Sequence, residues 1–167
     1  MRLVVPDPCL VILCGPAGCG KSTFARRNFS ETAVVSSDRC RALITDDERD
    51  LRVSQDAFAL FHQIIDFRLR YGRFTVADST ALHPDARREL RHIARRWHRP
   101  VAAIVFDIPE DTCRAWDARR ERQVGAAVIH RQWRMLQEAL ERIPGEGYDQ
   151  VAVLREPDVA NARVDVA

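Results

Sequence analysis

Apolar residues along the chain fall into short continuous runs that alternate with longer stretches at helical spacing. Residues 9–14 and 101–106 are unbroken apolar runs, the pattern of strands buried on both faces in a parallel sheet. Shorter β-branched or apolar runs at 32–35, 74–77 and 151–154 predict three further strands. Residues 1–5 read as a short leading strand or an extended arm, broken by Pro6-Asp7-Pro8. Between them lie helical stretches at 23–29, 39–44, 54–71, 84–97, 109–119 and 125–142. The clearest apolar faces are Phe58, Phe61, Ile65 and Leu69, then Leu90, Ile93, Ala94 and Trp97, then Ile129, Met135, Leu136 and Leu140. Ser36-Ser37-Asp38 supplies an N-cap cluster for the short helix at 39–44. From Glu156 onward the chain is polar and is expected to fray. Strands alternating with helices in this order predict an α/β domain of three layers with a mostly parallel central sheet, spanning residues 1–167 as one domain.

The junction between the first buried strand and the first helix carries the chemistry. Gly15-Pro16-Ala17-Gly18-Cys19-Gly20-Lys21-Ser22 fits G-x-x-x-x-G-K-[ST], the phosphate-binding P-loop (Walker A), in the strand–loop–helix context that motif requires. Glycines let backbone N–H groups close on phosphate oxygens, and the helix adds the positive end of its dipole. Gly15, Gly18, Gly20, Lys21, Ser22 and Thr23 are therefore the candidate ATP-binding residues. Lys21 is placed to reach the β- and γ-phosphates, and the Ser22 hydroxyl to complete a Mg²⁺ shell. With this loop the fold class becomes a P-loop NTPase. Ligands of such folds bind beyond the carboxyl ends of the strands, and Asp38, Asp78 and Asp107 all lie at strand ends.

Composition sharpens this picture at one point. The chain holds 26 basic residues, and Lys21 is the only lysine. A sequence so biased to arginine, with its one lysine in the P-loop, points to a need for a compact ammonium there. A net charge of +2 does not argue for nucleic acid. Arginine is dense between Asp85 and Arg142, which suits either a phosphate-rich ligand or a solvated helix face. Five cysteines without a C-x-x-C pair fit a reducing compartment and no structural zinc. No segment approaches a membrane span and the N-terminus has no signal pattern, so the expected location is the cytoplasm.

Asp38 has two readings from spacing alone: a general base for an attacking hydroxyl, or a helix cap. Arg41, three residues on, shares its helix face. It is a candidate for the acceptor's phosphate or a plain surface residue. Asp78 ends a strand in Walker-B fashion and is a second candidate metal ligand beside Ser22, or else a turn aspartate. Asp107 reads as turn chemistry before Pro109. Arg119, Arg120 and Arg122 lie between two helices, where small P-loop kinases carry a lid whose arginines neutralise the transferring phosphoryl group, or else they line an exposed interhelical turn.

Three stretches together resemble the kinase domain of bacterial polynucleotide kinase-phosphatase, a relative of phage polynucleotide kinase. They are the P-loop with Lys21-Ser22-Thr23-Phe24-Ala25, then Val35-Ser36-Ser37-Asp38-Arg39-Cys40-Arg41-Ala42-Leu43 followed by Asp46-Asp47-Glu48, then the strand ending at Asp78 with the later Arg120…Arg122-Gln123 region. The resemblance implies ATP as donor, a divalent metal (Mg²⁺) and a 5′-hydroxyl end of DNA or RNA as acceptor. It implies Asp38 as general base, Arg41 on the acceptor's phosphate, Lys21 and Ser22 on ATP and Mg²⁺, and Arg120 with Arg122 on the phosphates. Trp116 stands where that family is expected to carry a lid arginine. The phosphatase and ligase portions are not in this sequence, so companion domains or proteins are the implied partners. Two alternatives stay open: a small-molecule P-loop kinase, and a nucleotide-binding ATPase or switch module with no polynucleotide acceptor.

Overall fold

The structure, a computed structural model, describes all residues 1–167. In chain order the strands are β1 (Arg2–Val5), β2 (Leu10–Cys14), β3 (Val34–Ser36), β4 (Thr75–Asp78), β5 (Val101–Phe106), β6 (Gln150–Leu154) and β7 (Arg163–Val166). The helices are α1 (Lys21–Asn28), α2 (Ser37–Thr45), α3 (Ser54–Arg70), α4 (Pro84–Arg96), α5 (Glu110–Ala118), α6 (Ala126–Arg142) and α7 (Glu156–Asn161). The central sheet has the order β3-β4-β2-β5-β6, and every pairing in it is parallel.

The continuous apolar runs became the two strands at the heart of the sheet. Every residue of β2 and β5 is buried, as expected where helices cover both faces. Alternation along β2 divides the core. Leu10, Ile12 and Cys14 pack with α3, α4 and the later half of α6, through residues such as Phe61, Ile65, Leu90 and Leu136. Val11 and Leu13 pack on the other side with Phe24 of α1, Cys113 of α5 and Ile129 of α6. This is the three-layer α/β architecture of a P-loop NTPase. No helix is long and apolar enough to cross a membrane.

Two local readings change. Residues 31–33 form a 3-10 turn, so the third strand starts at Val34 and runs to Ser36. The polar tail does not fray. It forms α7 and then β7, which pairs in parallel with β1. The Val164 N–H also donates to Asn28 Oδ1 at 3.0 Å, and Val159, Ala162 and Val164 join the core around Phe24. The tail's few apolar residues are thus spaced to cover one side of α1, which its overall polarity conceals.

Candidate functional site

The carboxyl ends of β2, β3 and β4 deliver the P-loop, the N-terminus of α2 and Asp78 to one rim. The loop is held by three anchors. The Gly15 N–H donates to Thr80 O at 2.9 Å. Cys14 Sγ–H donates to Ala81 O. The Ala17 N–H donates to Gln132 Oε1 of α6 at 2.8 Å. Glycine is required sterically. A Cβ on Gly15 would lie 2.8 Å from Cys19 Sγ and 3.0 Å from Phe106 Cβ, while Gly18 and Gly20 have φ of +76° and +92°. The N–H groups of Gly18, Gly20, Lys21, Ser22 and Thr23 have no acceptor within the chain, and several of them stand at the N-terminus of α1. Such a cradle of unpaired donors is what phosphate oxygens fill.

Lys21 is buried, and its Nζ donates to Gly15 O at 2.8 Å and Pro16 O at 2.7 Å. An ammonium has three donors; the third reaches Cys19 Sγ at 3.6 Å, so all three contacts centre it in the loop. Ser22 Oγ–H donates to Asp78 Oδ2 at 2.9 Å, which unites the two candidate metal ligands. Burial pushes the Asp78 carboxyl above the ordinary aspartate value. Lys21 and the Ser22 hydroxyl pull it down, and the nearby charge of Asp38 pushes it up again. Asp78 therefore sits in a setting that gains from a cation. A hydroxyl and one carboxylate fit Mg²⁺, which keeps most of its waters and takes phosphate oxygens for the rest. No cluster of three His, Cys, Asp or Glu side chains offers an all-protein metal cage.

Asp38 does not cap its helix. Ser36 does, its Oγ accepting from the Arg39 N–H at 3.2 Å. The Asp38 carboxylate is left to side chains: Arg41 Nη1 donates to Oδ1 at 2.7 Å, and Arg122 Nη1 lies 2.8 Å from Oδ2. Arg41 is itself buried. It donates to Ser54 Oγ at 3.3 Å, and its guanidinium lies over the Phe58 ring. Arg122, which the resemblance puts on the phosphates with Arg120, contacts Asp38 and has Glu48 at 3.9 Å. Arg120 lies against the P-loop: a Cβ on Gly18 would stand 3.4 Å from its Nη1.

Sequence reasoning missed the residue that organises this segment. Asp117 is buried at the end of α5. Its carboxylate accepts from the N–H groups of Val124 and Gly125 at 3.1 and 3.0 Å, and lies 3.4 Å from Arg120 Nη1. The segment between α5 and α6 is thus a loop closed on one acid. Nothing in the spacing marks Asp117 out, since one carboxylate before a basic run reads as a surface pair. Gln132 was also missed, because its partner is 115 residues away. Asp107 keeps its structural reading: its N–H donates to Leu154 O and its carboxylate lies 4.0 Å from Arg155. Cys19 is fully buried, and burial pushes its thiol up against the opposing pull of Lys21. It is a packing residue and not a thiolate. A cavity of about 300 Å³ opens beside this rim, lined by Phe58, Ser79, Thr80, His83, Arg131 and Gln132 among others.

The sequence model of a family described as an AAA domain covers residues 10–143. The chain belongs to that family. Within it, this AAA domain has a P-loop kinase-like fold. It superposes on a chain from the Pnkp1/Rnl/Hen1 RNA repair complex with a TM-score of 0.71 at 23% identity, over 83% of this chain and 47% of that one. The AAA domain therefore spans about half the length of that relative. A structure from the PezAT chromosomal toxin–antitoxin system of Streptococcus pneumoniae gives a TM-score of 0.65 at 11% identity, over 92% and 69%. A gluconokinase from Sinorhizobium meliloti 1021 gives 0.58 at 16%, over 90% and 84%. At these identities the likeness is one of fold. No curated protein sequence gives a significant match.

Proposed function

We propose that the protein is an ATP-dependent polynucleotide 5′-hydroxyl kinase. The observation that carries this is the pairing, on one rim, of a phosphate cradle with an acid freed from helix capping: Ser36 caps α2, which leaves Asp38 for chemistry. ATP lies along the unpaired N–H groups of the P-loop, with Lys21 on the phosphates. Ser22 and Asp78 would hold Mg²⁺, which would supply screening of the developing phosphate charge. The acceptor oxygen bonds to the γ-phosphorus, the bond from that phosphorus to the bridging oxygen breaks, and ADP departs. The hydroxyl proton passes to Asp38. Arg120, beside Gly18, is on hand for the transferring group. Arg39 and Arg49 are exposed around α2 and the loop after it, where they suit a phosphodiester backbone. A companion phosphatase or ligase partner fits a repair role of this kind.

A second reading, transfer to a small hydroxylated metabolite, is favoured by the cavity next to Phe58 and Thr80, whose volume of about 300 Å³ suits one small molecule. The acceptor separates the two. With labelled ATP and equal concentrations of a 5′-hydroxyl oligonucleotide and of sugars and sugar acids, the proposal expects label on the oligonucleotide 5′ end. It also expects oligonucleotide affinity to fall as salt rises. Label on metabolites alone, or salt-independent oligonucleotide binding, refutes it in favour of the second reading.

A further inference from the structure

Asp38 is gripped from two directions by guanidinium groups that belong to separable parts of the fold. Arg41 comes from the same helix and is buried against Ser54 and Phe58. Arg122 comes from the segment between α5 and α6 and takes the other carboxylate oxygen at 2.8 Å. That segment is closed on Asp117 and also carries Arg120, which lies against Gly18 of the P-loop. One short loop therefore touches the donor cradle with one arginine and the acceptor's acid with another. Glu48, 3.9 Å from the same Nη1 of Arg122, offers that guanidinium a second carboxylate when it leaves Asp38.

We infer that Arg122 is a positioning residue that locks Asp38 until an acceptor arrives, and so suppresses transfer of the γ-phosphoryl group to water. This rests on the reading of Asp38 as the base. With both carboxylate oxygens held by guanidiniums, a water molecule at the acceptor position competes poorly for Asp38. When the lock is released, water is activated as an acceptor hydroxyl would be. Its oxygen bonds to the γ-phosphorus, the bond to the bridging oxygen breaks, ADP leaves and the water proton passes to Asp38. An acceptor that carries an anionic group supplies Arg122 with a competing partner and opens the lock. Arg122 thereby makes the site selective for anionic acceptors over water without itself touching ATP.

The test is ATP hydrolysis with Mg²⁺ and no acceptor, in wild type, Arg122→Ala, Arg122→Lys and the double variant Asp38→Asn/Arg122→Ala, with thermal melts confirming the fold. Arg122→Ala is expected to hydrolyse ATP about tenfold faster than wild type, the effect of losing one hydrogen bond between charged groups. Arg122→Lys keeps a charge on Oδ2 and is expected to restore slow hydrolysis. The double variant is expected to return to the wild-type rate or below. Unchanged or slower hydrolysis in Arg122→Ala overturns the inference, as does fast hydrolysis that survives in the double variant. No oligonucleotide enters this assay, so failure to phosphorylate polynucleotides leaves the lock standing. Normal phosphoryl transfer by Asp38→Asn alone would instead remove the base on which it rests.

Discussion

Two arginine–carboxylate–arginine triads stand in this molecule, and they differ in where their arginines come from. In one, Arg87 and Arg91 of the single helix α4 clamp Glu146. Arg87 Nη2 and Arg91 Nη1 each lie 2.6 Å from it, and Tyr148 joins at 3.3 Å. In the other, Arg41 of α2 and Arg122 of the α5–α6 segment hold Asp38. The side chains of Arg87 and Glu146 are 0% and 13% exposed, while those of Arg122 and Asp38 are 17% and 42% exposed. The first triad is sealed. Arg87 also donates to Ala81 O and Leu82 O at 3.0 and 2.8 Å, which fixes the turn that holds Gly15 through Thr80. The second spans two elements and faces solvent, so it can open. The same chemical set is sealed where one helix supplies both cations and open to solvent where two elements do.

The largest expected effect on stability tests the scaffold side. Glu146→Ala leaves Arg87 buried without its counter-charge and should lower the unfolding free energy by about 3–5 kcal/mol, read as a shift in the urea midpoint. Asp38→Asn should cost less than this, because Asp38 is 42% exposed and the amide oxygen of the new side chain can still accept from the buried Arg41. Equal losses would erase the distinction between the triads.

The acid limb of stability sharpens the same point. Burial works against the Glu146 charge, but the hydrogen bonds and charge of Arg87, with Arg91, hold the carboxyl below its ordinary value of 4.5. Its stabilisation is therefore present above that value and is lost as pH falls through the lower folded-state value. In Glu146→Ala this part of the acid unfolding curve should flatten.

Asp78 carries the opposite sign. Its carboxyl is pushed above 3.8 chiefly by burial, so its contribution favours folding below that value and is lost as pH rises through the folded-state value. Asp78→Asn removes this burial cost and should raise the melting temperature of the ligand-free protein at neutral pH while weakening Mg²⁺-dependent activity. A gain of about 1 kcal/mol corresponds to about 2–4 °C at this size. A lower melting temperature would show that the Ser22 contact outweighs burial.

The smallest effect concerns the loop anchor. Gln132→Ala removes one hydrogen bond to Ala17, worth about 0.5–1.5 kcal/mol, and should raise the KM for ATP by up to about tenfold with little change in kcat. A fall in kcat alone would move Gln132 to the acceptor side.

Most of the fold was legible because its signals are local. The buried runs of β2 and β5, the P-loop and the apolar faces of α3, α4 and α6 each lie within one stretch of chain. The C-terminal elements were misread because α7 and β7 are stabilised by contacts with α1 and β1 at the far end of the sequence. In the site, the P-loop motif and the strand-end position of Asp78 were legible, and the structure brings Ser22 and Asp78 within hydrogen-bond distance. Spacing left Asp38 between cap and base, since Ser36 and Asp38 are both good caps and only the Arg39 N–H selects between them. The destination of Arg122 and the roles of Asp117 and Gln132 depend on tertiary contacts that no local pattern encodes.

On the function proposed above, the Asp38 triad does chemistry on the phosphate held by the P-loop. The most direct measurement is single-turnover transfer of the ATP γ-phosphoryl group by Asp38→Asn, with ATP affinity and melting temperature measured on the same sample. The account predicts ATP binding and stability close to wild type and transfer reduced by about 10²–10⁴-fold, the range for loss of a general base. Transfer at the wild-type rate in a folded, ATP-binding variant would contradict it.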